Sequence, residues 1–161
     1  AALGAGGGNF RLALAELLGP GATIYAVDRA RSAIQALHHR VEVDRPTARV
    51  CPLLGDLTQP LDLPLLDGIL MANSLHFQRE QAAVLQRLAG TLRPGGALLF
   101  VEYEVARPRP WIPNPVPLSR LRSLAREAGL PTPIQVGTRR SRTAGTAMYA
   151  AAISLATSGG K

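Results

Sequence analysis

The sequence predicts an α/β fold of the doubly wound class, in which helices cover both faces of a mostly parallel sheet. A glycine-rich turn follows the short apolar segment of residues 1–3 and leads into a helical segment. Residues 22–27 form a nearly continuous apolar run, as expected for a strand that is buried on both faces of a parallel sheet. Further apolar runs alternate with amphipathic segments along the chain, which is the pattern of βαβ units.

The first turn has the composition of a nucleotide-binding turn. Glycine stands at positions 4, 6 and 8, where it permits backbone angles closed to other residues and carries no Cβ that would hold a ligand away. A helix predicted from Asn9 to about Leu18 directs its free N–H groups and its positive dipole end into this turn. The dinucleotide fingerprint Gly-x-Gly-x-x-Gly needs a third glycine where Asn9 stands, so the spacing here is Gly-x-Gly-x-Gly instead.

Length and composition indicate one globular domain. The chain has 161 residues, of which 47% are hydrophobic and 18% charged, and this is enough apolar material for a sizeable core. No apolar run is long enough to span a bilayer, and no secretory leader pattern opens the sequence. Cys51 is the only cysteine, which excludes an internal disulfide and a cysteine-based metal cluster. We therefore expect a cytoplasmic protein without a metal site.

The net charge of +7 raises the possibility of a nucleic-acid partner. All but one of the 18 basic residues are arginine, the exception being Lys161, and they are scattered over the predicted elements. Only Arg139, Arg140 and Arg142 cluster, in a predicted hairpin turn. Nucleic acid is therefore a possible partner but not the favoured one.

The predicted second and third strands both end in a carboxylate. Residues 22–27 end on Asp28, which can accept both hydroxyls of a ribose; the alternative is an N-cap for the helix predicted over residues 30–40. Residues 48–54 form the third strand and are followed by Gly55, Asp56 and Leu57.

The second half of the chain continues the alternation. Residues 67–77 are the fourth strand and its exit, and polar groups appear only at the C-terminal end, where open α/β sheets bind ligands. Residues 78–92 form an amphipathic helix, residues 93–96 a sharp turn, and residues 97–101 a fifth strand that ends in Glu102, Tyr103 and Glu104.

The last third predicts a connector, a helix and a hairpin. Residues 105–117 carry Trp111 among five prolines and form either a wall of the substrate side or a rigid connector. Residues 118–128 are helical, residues 133–137 and 146–153 are two strands joined by the arginine-bearing turn, and residues 156–161 form a flexible tail.

Several of these segments together resemble one family. The Gly-x-Gly-x-Gly turn, the run Asn73-Ser74-Leu75-His76-Phe77, the run Leu92-Arg93-Pro94-Gly95-Gly96 and the strand into Glu102-Tyr103 are similar to bacterial class I S-adenosylmethionine (AdoMet)-dependent methyltransferases that act on small molecules. The resemblance covers essentially the whole chain. It implies a Rossmann-like, seven-stranded sheet with an antiparallel C-terminal hairpin, in a single domain over residues 1–155 whose N-terminal part is missing or truncated.

The resemblance also implies a set of binding residues for the cofactor AdoMet. In this family the residue at position 56 holds the adenine amine and the next main-chain N–H serves a ring nitrogen; from the residues alone, Asp56 is equally a turn aspartate. Position 2 departs from the pattern, since Ala2 stands where the family usually has an acidic residue for the methionine amino group. The implied cofactor-binding residues are Gly4, Ala5, Gly6, Gly8, Asn9, Asp28, Arg29, Asp56, Leu57, Asn73 and Ser74.

The implied activity is methyl transfer to a small-molecule acceptor. The candidates for deprotonating or orienting the acceptor are His76, Glu102 and Tyr103, with His76 favoured as base because its ordinary pKa is near 6.5. The alternative for His76 is a packing role at a helix start. Three other functions remain open: an RNA or protein methyltransferase, a non-catalytic AdoMet-binding domain, and a nicotinamide-dependent oxidoreductase, which Asn9 and the hairpin oppose.

Overall fold

A computed structural model of the protein describes residues 1–4, 9–141 and 145–157, with the side chains of residues 9–12 left out. This part of the chain contains seven strands and four α-helices. They fall into two compact units, Ala1–Leu63 and Pro64–Lys161.

The first unit is a βαβαβ arrangement with three parallel strands in the order β3-β2-β1. Its core is formed by small and branched apolar side chains, including Ile24 and Val50 from the strands and Leu37 from the second helix. The elements of this unit are β1 (Ala2–Leu3), α1 (Asn9–Leu18), β2 (Thr23–Asp28), α2 (Arg31–Asp44) and β3 (Arg49–Leu54).

Helix α2 is longer than the sequence pattern predicted. The helix was expected over residues 30–40 but continues to Asp44. It ends at Arg45, whose φ of 45° is left-handed and whose N–H donates to the carbonyl of Val41 at 3.1 Å. Pro46 follows, and a proline disfavours helical geometry in the residue before it. The proline therefore sets the end of the helix, not the loss of apolar periodicity after residue 40.

The second unit has four strands in the order β4-β5-β7-β6. Strands β4 and β5 are parallel, and β7 pairs antiparallel with both β5 and β6, so the predicted C-terminal hairpin is confirmed. With the three parallel strands of the first unit, these strands confirm the predicted mixed, mostly parallel fold class. The elements are β4 (Leu66–Ala72), a 3-10 turn (Leu75–Phe77), α3 (Gln81–Ala89), β5 (Leu92–Tyr103), α4 (Leu118–Glu127), β6 (Ile134–Arg140) and β7 (Ala147–Ser154).

Several boundaries in this unit differ from the prediction. Strand β6 continues to Arg140, so Arg139 and Arg140 lie in the strand and not in the turn, and α3 ends at Ala89 and not at residue 92. Helix α3 begins at Gln81 and not at residue 78, because the 3-10 turn occupies the exit from β4. Residues 93–96, predicted as a turn, lie inside β5 as an irregularity: β4 advances from Leu66 to Gly68 while β5 advances from Leu92 to Ala97. An irregularity of this kind accommodates the missing N–H of a proline.

The core of the second unit lies between one face of β5 and β7 and the helices α3 and α4. Phe100 and Tyr149 are its largest buried aromatic side chains, and Leu85 and Leu121 are fully buried on the two helices. The hydroxyl of Tyr149 donates to the carbonyl of Val116 at 2.7 Å. Burial raises the pKa of Tyr149 far above its ordinary value, and the carboxylates of Glu102 and Glu104 raise it further, so this hydroxyl remains a donor.

No helix in the described part of the chain is both long enough and apolar enough to cross a membrane.

Replacing Tyr149 by phenylalanine is expected to lower the free energy of unfolding by about 1–3 kcal/mol, because the buried carbonyl of Val116 loses its donor. Urea denaturation followed by circular dichroism measures the change. Tyr25→Phe, at a half-buried position of β2, is the matched control and should change the unfolding free energy little. Equal effects of the two substitutions would show that the Tyr149 hydroxyl contributes nothing specific.

Candidate active site

In the first unit, the C-terminal ends of β2 and β3 bring two carboxylates to one edge. The N–H of Gly55 donates to the carbonyl of Asp28 at 3.0 Å, which joins the two strand exits directly. A Cβ at position 55 would lie 2.9 Å from side-chain atoms of both Val27 and Leu61, so glycine is what lets the chain pass here. Asp28 and Asp56 therefore lie on the exits of two adjacent parallel strands, and both are half-buried.

Each of the two carboxylates is oriented by a local turn. Asp28 accepts from the N–H of Ala30 at 3.0 Å through Oδ1; the N-cap residue of α2 is Ala30 itself. Asp56 Oδ1 accepts from the N–H and from the hydroxyl of Thr58, both at 2.8 Å. The turn role foreseen for Asp56 is thus present. Because a carboxylate has two oxygens and several lone pairs, a turn bond on Oδ1 is compatible with a ligand on the same group.

The ionisation of Asp56 is set mainly by Thr58. The backbone N–H of Thr58 lowers the pKa of Asp56 most, its hydroxyl lowers it further, and the charge of Arg29 adds a small effect in the same direction. The carboxylate of Asp56 is consequently an anionic acceptor at any pH near neutrality.

The remaining predicted cofactor residues of the first unit are described in part. Gly4 has a left-handed φ of 65°, and its N–H donates to the carbonyl of Val27 at 2.9 Å. Ala5, Gly6 and Gly8 lie outside the described residues; Asn9 begins α1, and its side chain is not described. Of the others, Leu57 is buried and Arg29 is exposed.

In the second unit, the exit of β4 holds two buried oxygens without partners. Asn73 has a left-handed φ of 52°, which asparagine tolerates better than most residues, and its N–H donates to the carbonyl of Val101 at 2.8 Å. The side-chain atoms Asn73 Oδ1 and Ser74 Oγ are buried and accept no hydrogen bond from the described residues. Unpaired buried polar atoms are rare and costly, so a donor that reached this pair would be stabilising.

His76, at the same exit, forms a buried hydrogen-bonded pair with Glu102 of β5, called the dyad below. His76 Nδ1 lies 2.7 Å from Glu102 Oε2, and each side chain is only 1% exposed. The other oxygen, Glu102 Oε1, accepts from the N–H groups of Leu75 at 2.9 Å and of His76 at 3.3 Å. The structure therefore brings together two of the three predicted catalytic residues and fixes their mutual orientation.

The third candidate, Tyr103, lies beside the dyad. Its ring centroid is 6.0 Å from that of His76, and the side chain is half-buried. Phe77 covers the histidine more closely, with ring centroids 4.3 Å apart, and is itself 51% exposed. Phe77 is an aromatic neighbour whose contact with His76 the sequence did not predict.

The proline-rich connector is tied to this exit. Asn114 donates to the carbonyl of His76 through its N–H at 3.0 Å and through Nδ2 at 3.3 Å. Gln81 Nε2 donates to the carbonyl of Asn114 at 2.9 Å and to that of Leu75 at 3.4 Å. Neither Asn114 nor the polar role of Gln81 was foreseen, since one lies among prolines and the other fits an apolar helix face. Trp111, in contrast, is 53% exposed.

The profile of the methyltransferase domain family matches residues 1–98, more than half of the chain. The chain belongs to this family. It is a class I AdoMet-dependent methyltransferase domain, and AdoMet is its cofactor. This confirms the family, the enzyme class and the cofactor predicted from the sequence. Among the curated proteins, none matches the sequence.

Solved structures of low sequence identity share the fold. An AdoMet-dependent methyltransferase from Aquifex aeolicus superposes with a TM-score of 0.76 at 18% identity, over 96% of this chain and 80% of that one. An arsenic(III) S-adenosylmethionine methyltransferase from Chlamydomonas reinhardtii gives 0.75 at 18%, over 98% and 63%. The N-terminal domain of EvdMO1, solved in the presence of S-adenosylhomocysteine (SAH) and D-fucose, gives 0.70 at 21%, over 96% and 74%. The methyltransferase chain thus spans less than two thirds of the second of these proteins.

The described polar groups fit AdoMet in their chemistry. The cofactor presents hydrogen-bond donors on its adenine amine, its ribose hydroxyls and its ammonium group. The first unit offers the carboxylates of Asp28 and Asp56, and the second unit offers the unpaired oxygens of Asn73 and Ser74. Ala2 provides no side-chain acceptor. The four acceptors match the cofactor's donors in kind.

Replacing Thr58 by alanine is expected to raise the pKa of Asp56 part of the way to its ordinary value, because the hydroxyl bond is lost while the backbone bond remains. A pKa lowered by folding stabilises the protein above the unfolded value and loses that effect as the pH falls through the folded value. The substitution should therefore move this loss to higher pH. NMR titration of the Asp56 carboxyl measures the shift. Thr47→Ala, whose hydroxyl bonds the carbonyl of Ala15, is the control; an unchanged Asp56 titration in Thr58→Ala would contradict the prediction.

Proposed function

We propose that this methyltransferase transfers a methyl group from AdoMet to a small-molecule acceptor. The observation that carries the proposal is the exit of β4, where two buried oxygens have no partner among the described residues and lie beside a buried histidine–glutamate dyad. When bound, AdoMet supplies an already activated methyl group. The chain's own residues then have to bind the acceptor, align it with the methyl group and exclude water. Alignment alone can lower the activation barrier by an amount on the order of 7–11 kcal/mol.

The residues proposed to bind the cofactor lie at the ends of β2 and β3 in the first unit and at the end of β4 in the second unit. We assign the ribose hydroxyls to Asp28 and the adenine amine to Asp56, with Leu57 as the neighbouring main-chain contact. Asp56 suits the amine because it is an ionised acceptor whose orientation Thr58 fixes. In the first unit, Arg29 and the glycine turn (Gly4, Ala5, Gly6, Gly8 and Asn9) complete the proposed set. In the second unit, the proposed cofactor-binding residues are Asn73 and Ser74.

The acceptor side rests on His76, Glu102 and Tyr103. Because His76 Nδ1 faces Glu102, a proton taken from an acceptor would go to Nε2. Tyr103, half-buried beside the histidine ring, is the candidate for orienting the acceptor. The general-base role of His76 stays a prediction, since the ring is buried under Phe77 and acts only on an acceptor that reaches it.

The small-molecule assignment is supported by two of the structural neighbours. One acts on arsenic(III), and another was solved with SAH and D-fucose. A competing assignment to RNA has one observation in its favour: Arg139 and Arg140 are exposed on β6.

Calorimetric titration tests the cofactor side. Wild-type protein should bind AdoMet and SAH and not NAD, and Asp28→Ala should weaken both complexes about 10- to 100-fold, since a hydrogen bond to a charged group is worth about 1.5–3 kcal/mol. Asp44→Ala is the matched control, because this exposed carboxylate lies at the far end of α2 and pairs with Arg40 in the same helix. Binding of NAD, or equal losses in both variants, would remove the assignment of Asp28.

Release of SAH in the presence of candidate acceptors tests the acceptor class. We expect turnover with members of a small-molecule panel and no RNA binding that falls steeply with salt, which is the signature of phosphate contacts. The double variant Arg139→Ala/Arg140→Ala should leave small-molecule turnover unchanged within about twofold, because both side chains are solvent-exposed and lie outside the proposed site. Turnover on RNA that this variant abolishes would replace the small-molecule assignment.

A further inference from the structure

Glu102 satisfies the N–H groups that begin the 3-10 turn. The turn (Leu75–Phe77) has Ser74 at its N-cap position, but the Ser74 side chain makes no capping bond. The first N–H groups of a helical turn have no partner within the turn and are normally bonded by the side chain at the cap, for which serine is among the preferred residues. Here those N–H groups, on Leu75 and His76, are bonded by Glu102 Oε1 instead.

The cap therefore comes from the next strand and not from the local chain. Glu102 lies near the end of β5, 27 residues away from Leu75, and its second oxygen is anchored by His76 Nδ1 at 2.7 Å. Both side chains are 1% exposed, so water does not compete for these bonds. The carboxylate is consequently held at the turn by contacts that do not involve Ser74.

Because Glu102 caps the turn, Ser74 Oγ forms no hydrogen bond to it. Ser74 is 2% exposed, and in the part of the chain that the structure describes its buried hydroxyl oxygen has no partner, as is also true of Asn73 Oδ1. Both residue types readily fold their side chains back onto nearby N–H groups when these are available. Since Glu102 occupies the N–H groups of the turn, that local bond is blocked, and the Ser74 oxygen has no partner among the described residues.

We propose that Glu102 is a positioning residue: by capping the turn from β5, it keeps Ser74 Oγ and Asn73 Oδ1 available for the ammonium group of the cofactor's methionyl part. This inference rests on the proposed function. Of the donors of AdoMet, the ribose hydroxyls and the adenine amine are assigned to Asp28 and Asp56. The ammonium remains, and it requires acceptor oxygens of the kind found at this exit.

The test compares two changes at position 102 by calorimetry, with SAH and with 5′-methylthioadenosine, which lacks the amino-acid part. Glu102→Asp keeps the charge but shortens the reach to the turn, so the Ser74 side chain is expected to cap the turn in its place. SAH affinity should then fall about tenfold, as for one lost hydrogen bond. Glu102→Gln loses the charge but keeps an oxygen at full reach, so SAH affinity should be retained within about threefold. Affinity for methylthioadenosine should change in neither variant.

Two further variants complete the design. Ser74→Ala should by itself weaken SAH about tenfold and leave methylthioadenosine unchanged, and its effect should disappear in the Glu102→Asp background, because the oxygen is no longer available there. Glu104→Asp is the matched control: this carboxylate lies two residues further along and accepts from the N–H of Leu118 at 3.1 Å. If Glu102→Asp does not fold, the Ser74→Ala result decides alone whether the oxygen serves the ligand.

The outcomes separate this inference from the proposed function. A larger loss in Glu102→Gln than in Glu102→Asp would overturn it, because the buried charge and not the cap would then matter. So would an unchanged SAH affinity in Ser74→Ala. A ¹⁵N NMR spectrum of the histidine rings gives a readout without any ligand: His76 should carry its proton on Nδ1 in the wild type and on Nε2 in Glu102→Gln, with the exposed His38 and His39 as references. Wild-type protein that shows this tautomer but binds neither AdoMet nor SAH would overturn the cofactor assignment while leaving the dyad established.

Discussion

The buried carboxylate of Glu102 is the contact on which the arrangement of the second unit's strand exits depends. A carboxylate that leaves water is costly unless donors replace its hydration, and here two backbone N–H groups and one imidazole N–H do so. His76, which bonds one oxygen of Glu102, also holds the connector in place. Its carbonyl accepts from the backbone N–H and from the side-chain Nδ2 of Asn114. Losing both oxygens at position 102 would therefore release the exit of β4 and the connector together. Such a network is valuable only when every member is satisfied, which explains why its two unpaired neighbours stand out.

The strand exits of the first unit are organised by a different principle. Asp28 and Asp56 are oriented by bonds to residues two positions along the chain, close to solvent, and not by a buried network. Local turns of this kind form without help from distant segments. Water screens the charges of these half-buried groups, so changes at them should remain local, whereas changes at the dyad should spread. The close passage at Gly55 shows that this exit also depends on packing.

The sequence predicted features that depend on neighbouring residues, but not contacts between residues that lie far apart along the chain. The apolar run that becomes β2, its terminal Asp28 and the C-terminal hairpin follow from periodicity and turn residues, and the structure has them as predicted. The family resemblance predicted Asn73 and His76 as site residues. What spacing could not give was the partnership of His76 with Glu102, 26 residues apart, or with Asn114, 38 residues apart. Such pairs are created by strand order, and a glutamate after a strand looks the same in sequence whether it faces solvent or a buried imidazole.

The unpaired oxygens at the exit of β4 follow from the same constraint. Serine at a cap position and asparagine in a left-handed turn are both locally favourable choices, and each would ordinarily use its side chain on the backbone next to it. Glu102 supplies that bond from another strand, so the locally expected contact of Ser74 does not form. Leaving each oxygen buried and unpaired costs about 1–3 kcal/mol, a cost that a bound donor would recover. A protein under selection for stability alone would let Ser74 cap its own turn, and the conflict between local preference and observed geometry is greatest where a ligand is proposed to bind.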